Sequence, residues 1–187
     1  MDNVFIAAGG TGGHINAALS LEESLKKNYH VTFLSGERHL DYKLFSHKNC
    51  LHIKSRPLRS RNPLTLIKNL FLNTYVFIQL IWMFIKKKPK FVIGAGGYVC
   101  GPALLAAKIL FKPIFIIEQN AVVGMTNKIL SYISTKIFTN FQETKGLPDS
   151  VKHKIQNLGN PIRQTISFKS NEVGAEVNLL VFGGSLG

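Results

Sequence analysis

Val4-Phe5-Ile6-Ala7-Ala8-Gly9-Gly10-Thr11-Gly12-Gly13-His14, leading into the periodic stretch Ile15–Leu25, decides how this chain folds. The apolar run reads as a buried strand, and the helical periodicity after it as a helix. Between them, four glycines in five positions turn the backbone sharply and bring bare N–H groups close to a ligand. A helix starting near His14 points its unpaired amides and positive end at the same spot, which makes an anion cradle. The glycines come as two pairs around Thr11, so the pattern is not G-x-G-x-x-G. No Gly-Lys-Ser/Thr follows, so it is not a P-loop either. The turn ends in His14, a side chain that can move a proton near neutral pH. The plain alternative is a tight βα turn with a surface histidine.

Outward from this stretch the alternation repeats. Val4–Ala8, Val31–Leu34, Phe91–Ile93, Ile114–Ile117 and Ile137–Thr139 predict strands, with Leu51–Ile53 and Ile155–Leu158 as shorter candidates. Ile15–Lys27, His39–His47, Leu64–Lys87, Gly101–Leu110 and Gly124–Tyr132 predict helices. The strand runs are nearly continuous in apolar residues, as a parallel sheet covered on both faces requires. The expected fold is α/β, a doubly wound parallel sheet, with ligands outside the carboxyl ends of its strands. Residues 1–168 read as one domain and the polar stretch 169–176 as a linker. Val177–Phe182 and Gly183-Gly184-Ser185-Leu186-Gly187 then read as the first strand and glycine turn of a second α/β domain, or else as an edge strand with a glycine tail.

The chain has 187 residues, 45% of them hydrophobic, which suits one domain with a sizeable core and excludes disorder. Two cysteines, Cys50 and Cys100, are too few for a disulfide framework and have no metal-ligand spacing with a histidine, so a reducing cytoplasmic setting is expected. Met1-Asp2-Asn3 carries no positive n-region of a secretory signal. The formal net charge of +13 calls for an anionic partner.

Leu64–Ile85 shows where that charge is aimed, for it holds one charge, Lys68, in 22 residues. On a helical wheel Lys68, Asn69, Asn73 and Gln79 share a sector, and apolar residues beginning with Leu66 and Ile67 cover the opposite side. Leu70, Phe71, Phe77, Ile81, Trp82, Phe84 and Ile85 then form an apolar face, with Lys86, Lys87, Lys88 and Lys90 after it and Arg56, Arg59 and Arg61 before it. Apolar surface ringed by basic residues suits an anionic membrane interface. A core helix with a solvated basic rim and a transmembrane span are the alternatives. Nucleic acid is not expected, because the charge flanks an apolar helix rather than aromatic stacking positions.

Three more turns carry chemistry. Gly94-Ala95-Gly96-Gly97-Tyr98 follows a strand and repeats the strand, glycine turn, helix design, with Pro102 at a helix start. Glu118-Gln119-Asn120 follows another, with Gly124-Met125-Thr126-Asn127 just beyond. In a parallel sheet these turns emerge at the same edge as the first loop, converging on one crevice. Gly159-Asn160-Pro161-Ile162-Arg163 is a rigid turn ending in a planar fork suited to carboxylate or phosphate.

These motifs in this order, closed by Gly183-Gly184-Ser185, resemble the MurG family, the bacterial glycosyltransferases that make lipid II for peptidoglycan. The resemblance covers the whole chain but about the first half of such an enzyme. It implies a GT-B architecture of two Rossmann-like domains facing across a cleft. The implied reaction transfers N-acetylglucosamine (GlcNAc) from UDP-GlcNAc to the C4 hydroxyl of the muramoyl sugar of lipid I, with inversion and without metal or cofactor. It further implies that the N-terminal domain takes the lipid-linked acceptor on the cytoplasmic face of the inner membrane, while the C-terminal domain holds most of the nucleotide sugar.

By motif, Thr11, Gly12, Gly13, Asn120, Arg163 and Ser185 are implied to contact UDP-GlcNAc. Gly10, His14, Gly96, Gly97 and Tyr98 are placed at the acceptor diphosphate. His14 is the implied base, with Glu118 as the alternative. The expectation is little transferase activity without the second domain, in cis or in trans. The competing reading is a non-catalytic, membrane-recruiting half of a split UDP-GlcNAc transferase.

Overall fold

The computed structural model describes residues 1–162. Strand β1 (Asp2–Ala7) pairs in parallel with β2 (Tyr29–Ser35) on one side and with β4 (Phe91–Gly94) on the other. Beyond β2 lies β3 (Cys50–His52); beyond β4 lie β5 (Ile114–Glu118), β6 (Lys136–Thr139) and β7 (Ile155–Asn157). The order β3-β2-β1-β4-β5-β6-β7, with every pair parallel, is the expected doubly wound sheet. Chain direction across the sheet reverses between β1 and β4, so the crevice for a ligand lies outside the carboxyl ends of those two strands.

The period of two along β1 builds both cores at once. Phe5 and Ala7 face one layer, with the helices α3 (Pro63–Lys87), α4 (Cys100–Ile109) and α5 (Met125–Ser131). Val4 and Ile6 face the other, with α1 (Gly12–Leu25) and α2 (His39–Leu44). Every element expected within the described residues is present, and a 3-10 turn, Asp149–Lys154, precedes β7. α1 begins at Gly12, three residues before Ile15, so the second glycine pair is its first turn rather than the loop leading to it. The linker at 169–176, the strand Val177–Phe182 and its glycine turn, Arg163 and Ser185 lie outside the described residues.

α3 departs most from its wheel. Its length and composition would let it cross a membrane. Yet Val76, Leu80 and Phe84 are buried on the sheet, and the Phe84 ring lies 5.0 Å from that of Phe5 on β1. The Asn3 amide donates to the Lys87 carbonyl at 2.7 Å, fixing the end of the helix beside β1. Phe84, placed on the membrane face by the wheel, is 1% exposed and belongs to the core. Phe77 and Ile81 are half-buried against the same core.

Two residues of the polar sector, Asn69 and Asn73, also turn inward. The Asn73 amide oxygen accepts from the Ser55 hydroxyl at 2.7 Å and the Arg56 N–H at 3.1 Å, and its Nδ2 donates to the Arg56 carbonyl at 2.8 Å. Asn69 Nδ2 donates to the Pro57 carbonyl at 2.8 Å. Backbone of segment 54–60 has no ladder to pair with, so these two amides satisfy it. The apolar residues left outside include Leu70, Phe71, Trp82 and Ile85, with Lys86, Lys87 and Lys88 exposed after them. Phe71 is 73% and Trp82 63% exposed. Ile67 is exposed with them as the wheel expects, and Leu64, Tyr75 and Ile78 join them, a wider face than the wheel gave.

Candidate active-site edge

The turns after β1 and β4 interlock. The Gly9 N–H donates to the Gly96 carbonyl at 3.3 Å, and the Ala95 N–H to the Ala7 carbonyl at 2.8 Å. Gly97 has φ +91°, and a Cβ there would lie 2.1 Å from the Gly9 carbonyl oxygen, so no side chain fits. At Gly96, with φ +114°, a Cβ would collide with the His14 ring, 2.4 Å from its Cδ2. The imidazole therefore lies flat against the second glycine turn.

His14 Nδ1 sits 3.4 Å from the Gly9 carbonyl oxygen. A proton on Nδ1 faces that carbonyl and leaves Nε2 with a free lone pair, which is the base-competent tautomer. Thr11 N-caps α1 in extended conformation, and its hydroxyl makes no capping bond. Thr11, Gly12, Gly13 and His14 thus form an open helix start with unpaired amides.

A buried carboxylate braces this turn from behind. Asp41 is fully buried and accepts from the Gly10 N–H at 3.2 Å, the Ser35 hydroxyl at 2.9 Å and the Arg38 N–H at 3.2 Å. Arg38 reaches over the turn, donating to the Gly10 carbonyl at 3.2 Å with its guanidinium 5.1 Å from the centre of the Tyr98 ring. Burial first, then the Asp41 carboxylate, pushes the Tyr98 phenol above its usual pKa, so it stays a neutral hydroxyl at pH 7. The sequence reading gave neither Arg38 nor Asp41 a role.

Glu118 ends β5 and is 1% exposed. Its Oε1 accepts from Asn120 N–H at 3.0 Å and Asn120 Nδ2 at 2.8 Å. Its Oε2 accepts from Gly124 N–H at 3.1 Å and Asn127 Nδ2 at 2.9 Å. Four donors on two oxygens make Glu118 the organiser of the 118–127 turn and leave little lone-pair density for abstracting a proton. The Asn120 amide nitrogen is thereby turned toward Glu118. Gln119 Nε2 donates to the Ala95 carbonyl at 2.8 Å and ties this turn to the second glycine turn. Gln119 Oε1 and Asn127 Oδ1 are buried acceptors without a partner among the described residues.

A cavity of about 720 Å³ opens at this edge, reached by His14, Gly97, Tyr98, Glu118 and Asn127. All three converging turns therefore meet, as the strand-end argument expects.

Residues 4–139 match the N-terminal domain of glycosyltransferase family 28. The chain belongs to that family. Family 28 relatives include the UDP-N-acetylglucosamine--N-acetylmuramyl-(pentapeptide) pyrophosphoryl-undecaprenol N-acetylglucosamine transferase of Myxococcus xanthus, 35% identical over all of this chain and 50% of that protein. The transferase of the same name from Vesicomyosocius okutanii is 38% identical over 98% of this chain and 53% of its own length. The chain thus spans about half the length of these relatives. Among solved structures, Acinetobacter baumannii MurG superposes with a TM-score of 0.65 at 27% identity, covering 77% of this chain and 43% of that one. A UDP-GlcNAc 2-epimerase from Neisseria meningitidis, bound to UDP-GlcNAc, gives 0.64 at 19% identity over 84% of this chain and 46% of its own, and shares the fold alone.

Proposed function

We propose that this family 28 chain is the acceptor-binding half of an enzyme that transfers GlcNAc from UDP-GlcNAc to the C4 hydroxyl of the muramoyl sugar of lipid I, giving lipid II. The observation that carries this is the His14 ring held against the glycine turn at Gly96-Gly97, at the edge where the sheet reverses. The names of the relatives supply the reaction.

In this reading His14 Nε2 takes the C4 hydroxyl proton as that oxygen attacks the anomeric carbon of the donor. The bond from that carbon to the UDP diphosphate breaks, UDP leaves with the electron pair, and the configuration inverts. The amides of Gly97 and Tyr98, with Arg38 beside them, hold the acceptor diphosphate, and those of Gly12 and Gly13 approach the donor. Thr11 faces the sugars, and Glu118 acts by shaping the turn. Arg163, Ser185 and a second Rossmann-like domain after residue 168 supply donor contacts. The exposed face of α3 and Lys86, Lys87 and Lys88 rest on the anionic cytoplasmic face of the inner membrane.

The test is lipid II synthesis from lipid I and UDP-GlcNAc by the chain extended through a C-terminal domain. His14→Ala lowers kcat by about 10²–10⁴-fold, the usual contribution of a general base. A wild-type rate for His14→Ala overturns the base assignment, and no product from the extended chain overturns the transferase reading.

A further inference from the structure

The cavity at the active-site edge extends beyond the glycine turns. Its lining leaves the glycine turns and steps along three helices: Leu70 to Phe77 on α3, Gly101 to Leu105 on α4, and Met125 to Ile129 on α5. Leu70 to Phe77 spans roughly 10 Å at 1.5 Å per residue. Past the edge the side chains are mostly apolar, and the one carboxylate among them, Glu118, already has four donors. Arg56 and Arg59 stand on the wall formed by segment 54–60, which Asn69 and Asn73 hold onto α3. Leu70 is at once a lining residue and part of the exposed face of α3, so the groove runs out onto that face.

We propose that this groove takes the first isoprenyl units of a polyprenyl diphosphate, with the diphosphate at the glycine turns and the chain lying between α3, α4 and α5. The inference rests on the transferase reading, and it goes beyond it by placing the lipid inside the protein before it reaches the membrane. Charge selects this occupant: amides and two arginines lie near one end for the anion, and aliphatic side chains line the other for the tail. A volume of about 720 Å³ is that of a small-molecule site. A groove only for sugar would line its far end with hydroxyl and amide partners, not with Leu105 and Ile129.

The test uses the 187-residue chain, free of detergent and lipid, titrated by calorimetry with farnesyl diphosphate and, separately, inorganic diphosphate. Farnesyl diphosphate binds more than about tenfold tighter, because several methylene groups leave water. Leu105→Glu and Ile129→Glu, at side chains 45% and 64% exposed, fold normally. Each brings farnesyl diphosphate down to the affinity of inorganic diphosphate and leaves inorganic diphosphate unchanged. Phe71→Glu, outside the groove, lowers binding to vesicles containing phosphatidylglycerol and leaves farnesyl diphosphate unchanged. Equal affinity for the two diphosphates, or farnesyl binding indifferent to both groove variants, overturns the groove while lipid II synthesis can still stand.

Discussion

The glycine-lined edge of the sheet and the outer face of α3 sit a few helical turns apart and are built on opposite principles. At the edge, shape is dictated by backbone. Two turns approach so closely that Gly97 admits no Cβ, and the polar groups around them are paired by Asp41 and Glu118. On α3, backbone is an ordinary helix and the information lies in what the side chains leave uncovered. Edges of the first kind fix a ligand within fractions of an ångström. Faces of the second kind bind by area, tolerate substitution and suit a fluid partner. One protein surface carries both because the same helix that presents the apolar face also walls the cavity.

Substitutions break this contrast in order of size. Phe84→Ala, at a residue of α3 that faces the core, removes a ring packed on Phe5 and costs about 3–5 kcal/mol, read from urea unfolding. That loss separates the inner side of α3 from its outer side. Gly97→Ala costs about 1–3 kcal/mol from its positive φ alone. Its Cβ also displaces the Gly9 carbonyl, so lipid II synthesis by the extended chain falls further than stability does. Phe71→Ser on the outer face changes unfolding free energy by no more than about 0.5 kcal/mol. It weakens binding to anionic vesicles at low salt, and high salt removes most of the difference from wild type.

A pH experiment sharpens the edge side of the comparison. Cys100, at the start of α4, accepts from the Gly96 N–H and donates to the Ala7 carbonyl, both at 3.3 Å. Burial pushes its thiol from 9.0 up to about 12. The folded state therefore holds its proton where the unfolded chain releases it. The contribution of the thiol to stability is full below pH 9 and is lost as pH rises toward 12. Alkylation at pH 8 should then modify Cys100 only in molecules that have unfolded, with mass spectrometry as the readout. Rapid modification of Cys100 in folded protein would mean that the two glycine turns open.

Much of the site was readable because strand, glycine turn and helix are local patterns. His14, Gly96, Gly97 and Tyr98 come together as the parallel-sheet argument expects, since every such turn emerges at one edge. Arg38 and Asp41 were given no role because nothing in their spacing marks them: their role exists only once β2 sets them behind the first glycine turn. The family resemblance made Glu118 the alternative base. Its four donors, from Asn120, Gly124 and Asn127, redefine it as the pin of its own turn. Phe84 was assigned to the wrong side of α3 for a related reason. A helical wheel ranks side chains by polarity, whereas Asn69 and Asn73 face inward to satisfy a segment with no strand partner.

By itself the sequence determined the α/β alternation, the parallel sheet and the glycine turns, because strand and helix periodicities and the absence of a Cβ act within a few residues. Tertiary structure alone decided which way α3 faces, which carboxylates are already occupied, and that a groove continues from the turns between three helices. Those outcomes depend on which groups lie opposite one another across elements, and burial and hydrogen-bond pairing settle that only when the whole sheet and its layers are in place.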